Sequence, residues 1–213
     1  MSIPNAVELA EMIDPARTAL VVIDVQVDFA SPDGAMARMG ADLCGIEGVL
    51  DNVETLIAAA RGSRVCVAFA RVITSPQTDS TALKNLNARK GLAPSALDIC
   101  REGDRGSDYY RVAPFPGEIE VSKPLFSAFH GADLDQRLRE RSVDTLILAG
   151  LTTNCCVDAT ARHAFHLDYN VFVVSDATAA YDGEAQRQAL AALAQNCASI
   201  VESAEVSSSW RRV

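Results

Sequence analysis

Short apolar blocks alternate with amphipathic stretches along the chain, and this alternation predicts strands followed by helices. The first block, Thr-Ala-Leu-Val-Val-Ile at residues 18–23, is apolar at nearly every position, which is typical of a strand buried on both faces. Similar blocks recur along the rest of the sequence. The six predicted strands cover residues 18–23, 64–70, 119–121, 145–149, 170–175 and 199–202.

Helical periodicity fills several of the intervals between these strands. Helices are predicted over residues 48–61, after Asp133, over residues 156–167 and over residues 183–195. Strands that alternate with helices form parallel sheets with right-handed crossovers. The predicted fold class is therefore α/β: a three-layer α-β-α domain over residues 1–213, with a six-stranded, mostly parallel, Rossmann-like sheet.

Residues 72–117 break this alternation, since they show little periodicity and contain several prolines and glycines. Within them, only residues 96–101 show a short helical pattern. Long irregular segments of compact domains often form lids or binding loops. An ordinary surface excursion or a contact between subunits explains the composition equally well, and the sequence leaves these alternatives open.

Composition and charge restrict the range of partners. The chain has 213 residues and a formal net charge of -9 at pH 7, which disfavours nucleic acid and anionic membrane surfaces, because both attract Lys and Arg. No apolar run has the length of a membrane span, and the first residues lack the basic start and apolar block of a secretory signal. We therefore expect a cytoplasmic protein without membrane or nucleic-acid partners.

Three ionisable residues stand at the ends of three predicted strands. Asp24 follows the first strand, Lys123 follows the third, and Cys156 follows the fourth after a short turn. Ligands bind at the carboxyl ends of the strands in an open parallel sheet. An acid, an amine and a thiol that converge there suggest a nucleophilic thiol with its base and its counter-charge.

The stretches around these residues resemble the isochorismatase-like cysteine hydrolases. They are Val-Ile-Asp-Val-Gln-Val-Asp-Phe at 22–29, Lys-Pro-Leu-Phe-Ser-Ala-Phe at 123–129 and Gly-Leu-Thr-Thr-Asn-Cys-Cys-Val at 150–157. The last stretch matches the family pattern G-x-x-T-N-x-C-V, and its register identifies Cys156, rather than Cys155, as the nucleophile. A helix's first turn suits a nucleophile, because free N–H groups and the helix dipole favour a thiolate there.

The resemblance implies a catalytic triad and a covalent mechanism. Asp24 would be the general base, Lys123 would stabilise the thiolate, and Cys156 would attack an amide-like carbonyl to form a thioester that water hydrolyses. Family members also carry a cis peptide bond before the nucleophile, which corresponds to Leu151–Thr152 here. The N–H groups of Thr152 and Cys156 would then form an oxyanion hole.

The histidine content argues against a metal site. Nicotinamidases of this family bind a metal with an Asp-x-His pair and another histidine, but residues 71–78, after the second strand, contain no histidine. The chain's histidines are His130, His163 and His166, and the last two are expected on a helix surface or in the core. The six cysteines form no C-x-x-C pair. We therefore predict no metal and no other cofactor.

Differences among family members favour cleavage of a C–N bond. Isochorismatases that cleave a vinyl ether lack the nucleophilic cysteine. Residues 123–129 look most like members acting on ureido and carbamoyl compounds, such as ureidoacrylate, biuret and N-carbamoylsarcosine amidohydrolases. The expected substrate is therefore a small amide or ureide. Family members commonly form dimers or tetramers, so a homo-oligomer is also expected.

Six residues near the triad are predicted to bind the substrate. They are Gln26, Phe29, Arg71, Phe126, Ser127 and Phe129. The three phenylalanines suit a pocket wall, but core packing explains each of them equally well. The arginine, at the end of the second strand, could bind a substrate carboxylate in a two-pronged contact, or form a structural ion pair or an intersubunit contact.

The sequence leaves alternatives to the amidohydrolase. An ether hydrolase of the isochorismatase type would keep its activity without Cys156, because it needs no covalent step, and a non-catalytic binding member would have an unreactive Cys156. A redox pair of Cys155 and Cys156 is disfavoured, because adjacent cysteines rarely reach a relaxed disulfide geometry. A dinucleotide-binding domain is disfavoured too, since no G-x-G-x-x-G follows the first strand.

Overall fold

A computed structural model describes residues 6–211 of the chain. At its centre is a six-stranded sheet in which every strand pairing is parallel. The strands are β1 (Thr18–Ile23), β2 (Cys66–Val72), β3 (Ile119–Lys123), β4 (Thr145–Leu151), β5 (Asn170–Ala179) and β6 (Ser199–Val201). The predicted α/β class is confirmed, and the described sheet is wholly rather than mostly parallel.

The order of the strands creates a switch point in the middle of the sheet. The order is β3-β2-β1-β4-β5-β6, so β1 lies between β2 and β4 and the direction of strand addition reverses there. In open α/β sheets, such a reversal opens a crevice at the carboxyl ends of the strands. At this edge Ile23 of β1 lies opposite Ala70 of β2 and Gly150 of β4.

Helices cover both faces of the sheet. They are α1 (Ala6–Met12), α2 (Val27–Ala30), α3 (Ala35–Arg38), α4 (Ile46–Gly62), α5 (Thr81–Arg89), α6 (Leu134–Arg139), α7 (Asp158–His166), α8 (Gly183–Asn196) and α9 (Ser203–Trp210). Alternate residues of β1 point to opposite faces. Leu20 and Val22 therefore share one core with α4 and α9, whereas Val21 and Ile23 share the other with α6 and α7. None of the described helices has the length and apolar character needed to cross a membrane.

Several boundaries differ from those predicted. α4 begins at Ile46, before the expected start at residue 48. The helix predicted over residues 156–167 begins only at Asp158, because a π-helical turn, Thr153–Val157, precedes α7. β5 continues past its expected end at residue 175 and reaches Ala179. The sequence did not indicate the helices α1, α2, α3, α5 and α9.

The segment 72–117 contains more helix than its sequence indicated. α5 begins after Ser80, whose hydroxyl accepts a hydrogen bond from the N–H of Leu83 at 3.3 Å. A 3-10 helix, Pro94–Leu97, replaces the short helix predicted over residues 96–101. No residue of α5 is buried, and its large apolar residues are only Leu83 and Leu86, too few to mark a helix in the sequence.

Trp210 packs the last helix, α9, against the rest of the domain. Its side chain is fully buried, and its indole N–H donates to the carbonyl of Ile13 at 3.1 Å. We predict that Trp210→Ala lowers the free energy of unfolding by about 3–5 kcal/mol, because it removes a large buried side chain and leaves a cavity. Urea denaturation followed by circular dichroism measures this change. The exposed Met39→Ala is the control, with an expected change within about 0.5 kcal/mol, and equal stabilities of the two variants would contradict this packing.

Candidate active site

The three residues predicted to be catalytic lie together at the carboxyl edge of the sheet. Asp24 comes directly after β1, Lys123 is the last residue of β3, and Cys156 lies in the π-helical turn after β4. Asp24 has a left-handed backbone conformation, with φ of 50°, which is uncommon for a residue other than glycine. Its N–H donates to the carbonyl of Ala70 at 2.8 Å, which continues the contact between β1 and β2.

Asp24 and Lys123 form a buried ion pair. The Lys123 Nζ donates to Asp24 Oδ2 at 2.7 Å and to the carbonyl of Leu125 at 3.0 Å. The side chains of Lys123 and Asp24 are 0% and 1% exposed. Burial raises the pKa of the Asp24 carboxyl above its ordinary value, although Lys123 opposes this shift. Burial lowers the pKa of Lys123, but the charge of Asp24 outweighs this and the pKa is raised overall, so the amine stays protonated.

The Cys156 thiol is buried next to this ion pair. Its pKa is raised well above the ordinary value by a hydrogen bond with the Cys155 thiol, by burial and by the charge of Asp24, whereas Lys123 lowers it. Cys156 is therefore a neutral thiol at rest and needs a base to become a nucleophile. Asp24 Oδ1 makes no hydrogen bond within residues 6–211, so this oxygen is free to accept a proton.

The turn before the nucleophile is shaped by two backbone features. The Leu151–Thr152 peptide bond is cis, as the family resemblance implied. Gly150 has φ of 113°, and a Cβ at this position would lie 2.0 Å from the carbonyl oxygen of Ile23, so only glycine fits between β4 and β1. The carbonyl of Thr152 accepts hydrogen bonds from the N–H groups of Cys155 at 3.0 Å and Val157 at 3.1 Å, which closes the turn.

A cavity of about 310 Å³ opens beside these residues. Asp24, Thr152 and Cys156 lie in its lining, together with apolar side chains from several loops. The segment 72–117 supplies a large part of the wall, including Leu83 of α5 and Leu97. Of the alternatives that the sequence left open for this segment, the geometry thus favours a binding loop or lid.

Two of the six predicted substrate-binding residues, Phe29 and Phe126, line the cavity. Gln26 does not. Its buried side-chain amide accepts from the N–H of Val72 at 2.8 Å and donates to the carbonyls of Val72 at 2.8 Å and Ser107 at 3.0 Å. Gln26 therefore connects β2 to the neighbouring loop, and both N–H donors of its amide are already used there.

Arg71, Ser127 and Phe129 also lie outside the cavity lining. Arg71 forms an ion pair with Glu120 at 3.1 Å, which is the structural contact that the sequence offered as an alternative to substrate binding. Ser127 Oγ and His163 Nδ1 are 2.9 Å apart and share a hydrogen bond. Phe129 is buried, and the centroid of its ring lies 5.4 Å from that of His163. This residue therefore packs in the core, as the alternative for the phenylalanines allowed.

Sequence reasoning missed several residues of the cavity wall. Tyr181 follows β5, and its hydroxyl donates to the carbonyl of Phe29 at 2.8 Å. Its position past the end of a strand was a usable signal. Met36, Asp79 and Leu83 also line the cavity, but they come from short or exposed helices and their flanks, which gave no periodic signal.

A metal site has no candidate in the described part of the chain, where no group of three or more His, Cys, Asp or Glu side chains is arranged to hold an ion. His163 bonds to Ser127, as described above, and His166 contacts the ring of Phe165 at a centroid distance of 6.4 Å. The prediction of a metal-free site stays a prediction.

Comparison with known proteins agrees with this arrangement. A family model described as the isochorismatase domain matches residues 18–205. The chain belongs to the isochorismatase family. The resemblance drawn from the sequence motifs is thereby confirmed. A solved cysteine hydrolase from Pseudomonas syringae pv. phaseolicola is 30% identical to this family member, with a TM-score of 0.84 over 94% of this chain and 95% of that one.

Two further relatives of this isochorismatase-family chain have names that indicate C–N bond hydrolysis. The ureidoacrylate amidohydrolase RutB of Methylobacterium radiotolerans is 35% identical over 176 residues, which are 78% of this chain and 68% of the relative. The N-carbamoylsarcosine amidase of Thermoplasma acidophilum is 26% identical, with a TM-score of 0.69 over 88% of this chain and 96% of that one. The chain is a hydrolase acting on C–N bonds, as its sequence predicted.

The ion pair leads to a prediction about stability. Lys123→Met should lower the free energy of unfolding at pH 7 by about 3–5 kcal/mol, because it leaves the Asp24 carboxylate buried without a partner. The double variant Asp24→Asn/Lys123→Met should regain much of this loss, since it buries no charge. Urea denaturation of both variants measures the difference, with the exposed Lys90→Met as the control. Equal stabilities of the single and double variants would contradict the ion pair.

Proposed function

We propose that this protein is a metal-independent cysteine amidohydrolase, which cleaves the C–N bond of a small amide, ureide or N-carbamoyl compound through a thioester. One observation carries the proposal: Cys156 lies beside the buried pair of Asp24 and Lys123, and the thiol and the carboxylate both line one cavity. A thiol, a base that can remove its proton and a fixed positive charge are the groups that covalent amide hydrolysis requires.

The first half of the reaction forms the thioester. Asp24 takes the proton of Cys156 as the sulfur attacks the carbonyl carbon, and the electrons of the C=O bond move to its oxygen. Because the pKa of Cys156 is raised, the thiol needs this base to act as a nucleophile. The N–H groups of Thr152 and Cys156 hold the oxyanion, and Lys123 balances the negative charge that develops beside it.

Collapse of this intermediate breaks the C–N bond. Asp24, now protonated, gives its proton to the leaving nitrogen, so that ammonia or an amine departs and the acyl group stays on Cys156. Asp24 then removes a proton from water, which attacks the thioester carbonyl. The sulfur leaves and takes the proton back from Asp24, and the products are an acid together with ammonia or an amine.

The names of the relatives support the substrate class. One relative is named for ureidoacrylate and another for N-carbamoylsarcosine, and each name denotes a compound with a urea-type C–N bond. We therefore place small ureides and carbamoyl compounds first among the substrates, with simple amides beside them. A cytoplasmic location and assembly as a homodimer or homotetramer stay predictions from the sequence.

The covalent step can be tested with two neighbouring cysteines. Cys156→Ala should reduce ammonia release from a panel of small amides, ureides and carbamoyl compounds by at least about 10³-fold, because it removes the nucleophile. Cys155→Ala is the matched control and should stay within about tenfold of the wild type, since its sulfur forms no bond to substrate. Mass spectrometry of quenched wild type should find the acyl group on Cys156. An active Cys156→Ala variant would rule out the thioester and favour ether-type hydrolysis.

The role of Asp24 as a base determines how activity changes with pH. The base acts in its deprotonated form, and burial raises its pKa above the ordinary 3.8. We predict that kcat/KM is lost as the pH falls through this raised pKa, with a midpoint above pH 3.8. A pH–rate profile, with circular dichroism at each pH to identify acid unfolding, measures the midpoint. A midpoint at or below 3.8 would argue against Asp24 as the base.

A further inference from the structure

The wall of the cavity away from the triad is mainly apolar. Leu83, Leu97 and Ile99 from the segment 72–117 line it, together with Phe29 and Leu125. The volume of about 310 Å³ lies at the lower end of the range for small-molecule sites. These five side chains offer an apolar contact surface to the part of a substrate that does not react. They have no polar atoms that could replace the hydrogen bonds that this part of the substrate makes with water.

The charged side chains in the cavity lining are both acidic. They are Asp24 and Asp79, and within residues 6–211 no Lys, Arg or His belongs to this lining. Arg101 lowers the pKa of Asp79 by hydrogen bonding, which keeps this carboxylate ionised. An anionic substrate would therefore meet two carboxylates, each paired with a cation outside the lining, together with neutral polar side chains such as Thr74 and Asn154 and an apolar surface.

Lys84, which is outside the cavity lining and 44% exposed, lies 3.8 Å from Asp79 Oδ2. The two other cations next to the cavity are held more closely by carboxylates. Lys123 donates to Asp24 at 2.7 Å. Arg101 donates to both oxygens of Asp79, at 2.6 and 3.1 Å, and to Asp98 Oδ1 at 3.0 and 2.9 Å. To hold a substrate carboxylate, either cation would have to leave a short charge-assisted contact, and the protein carboxylate would then lose its partner.

From this distribution of charge, we infer that the site takes an uncharged amide, ureide or carbamoyl compound with an apolar substituent, and that it discriminates against the matching carboxylate. This inference rests on the proposed function and narrows its substrate class. Burying a carboxylate without a counter-ion is unfavourable, so the acidic residues act against anionic substrates while the apolar wall favours neutral ones. Carboxylate-bearing ureides such as ureidoacrylate are therefore expected to be poor substrates of this chain.

Two pairs of isosteric compounds test the inference. In the first, 3-methylbutylurea is compared with 3-ureidopropanoate, and in the second, 4-methylpentanamide is compared with succinamate. The members of each pair differ only in an isopropyl group that replaces a carboxylate. Ammonia release by the full chain should give a kcat/KM for the neutral member at least about tenfold above that of the anion. An equal or higher value for the anion would overturn the inference.

A binding experiment separates this inference from the proposed function. Calorimetry with the Cys156→Ala variant measures the affinity for the same four compounds without turnover. Preferential binding of the neutral members supports the inference, even if the wild type releases no ammonia and the proposed function fails. Equal binding of both members, tighter binding of the anions, or no binding of any compound would overturn the inference, whatever the activity.

A charge introduced into the wall provides a second test. Leu83→Arg, on the side of α5 that lines the cavity, should raise kcat/KM for the anion relative to its neutral partner by at least about tenfold. Leu86→Arg is the matched control, because Leu86 lies on the same helix, is 41% exposed and is outside the lining. If the two variants shifted the preference equally, the effect would come from overall charge and the inference would fail.

Discussion

The buried ion pair between Asp24 and Lys123 is the interaction on which the rest of the site depends. Burying a charge is unfavourable unless an opposite charge compensates it. The contact of 2.7 Å between Lys123 Nζ and Asp24 Oδ2 therefore holds the ends of two strands together. Because β2 lies between β1 and β3, the pair spans the end of β2. It uses one oxygen of Asp24 and leaves the other available beside Cys156, so a structural contact also provides the proposed base.

Close packing at the switch point of the sheet supports this pair. Gln26 bonds to both backbone groups of Val72 and so holds the end of β2 beside the residues that follow β1. On the other side of β1, Gly150 allows β4 to approach closely enough that no Cβ would fit. These contacts are polar and steric rather than hydrophobic. They position the edge of the sheet, while the two apolar cores on its faces supply the burial that stabilises the domain.

The proposed recognition surface has a different origin from the proposed catalytic residues. Asp24, Lys123 and Cys156 stand on strand ends and on the turn after β4, whose positions follow from the parallel sheet. Much of the remaining wall comes from the segment 72–117, where α5 has no buried residue and only two large apolar side chains. This separation lets the wall vary in charge and shape without disturbing the sheet. In this chain the wall has apolar residues and the paired Asp79.

The sequence by itself determined the strands, the parallel α/β class and the placement of Asp24, Lys123 and Cys156 at one edge of the sheet, because buried strands leave continuous apolar runs and their carboxyl ends must share one edge. The family motif added the cis peptide bond. The sequence did not determine which of Gln26, Phe29 and Arg71 faces the cavity, since a side chain near a strand end has either a ligand or a neighbouring loop as its partner. Only the tertiary structure decided this, because the partners, such as Ser107 for Gln26, lie far away along the chain. For the same reason, Asp79 and Leu83 became part of the site only when the loop folded over the sheet edge.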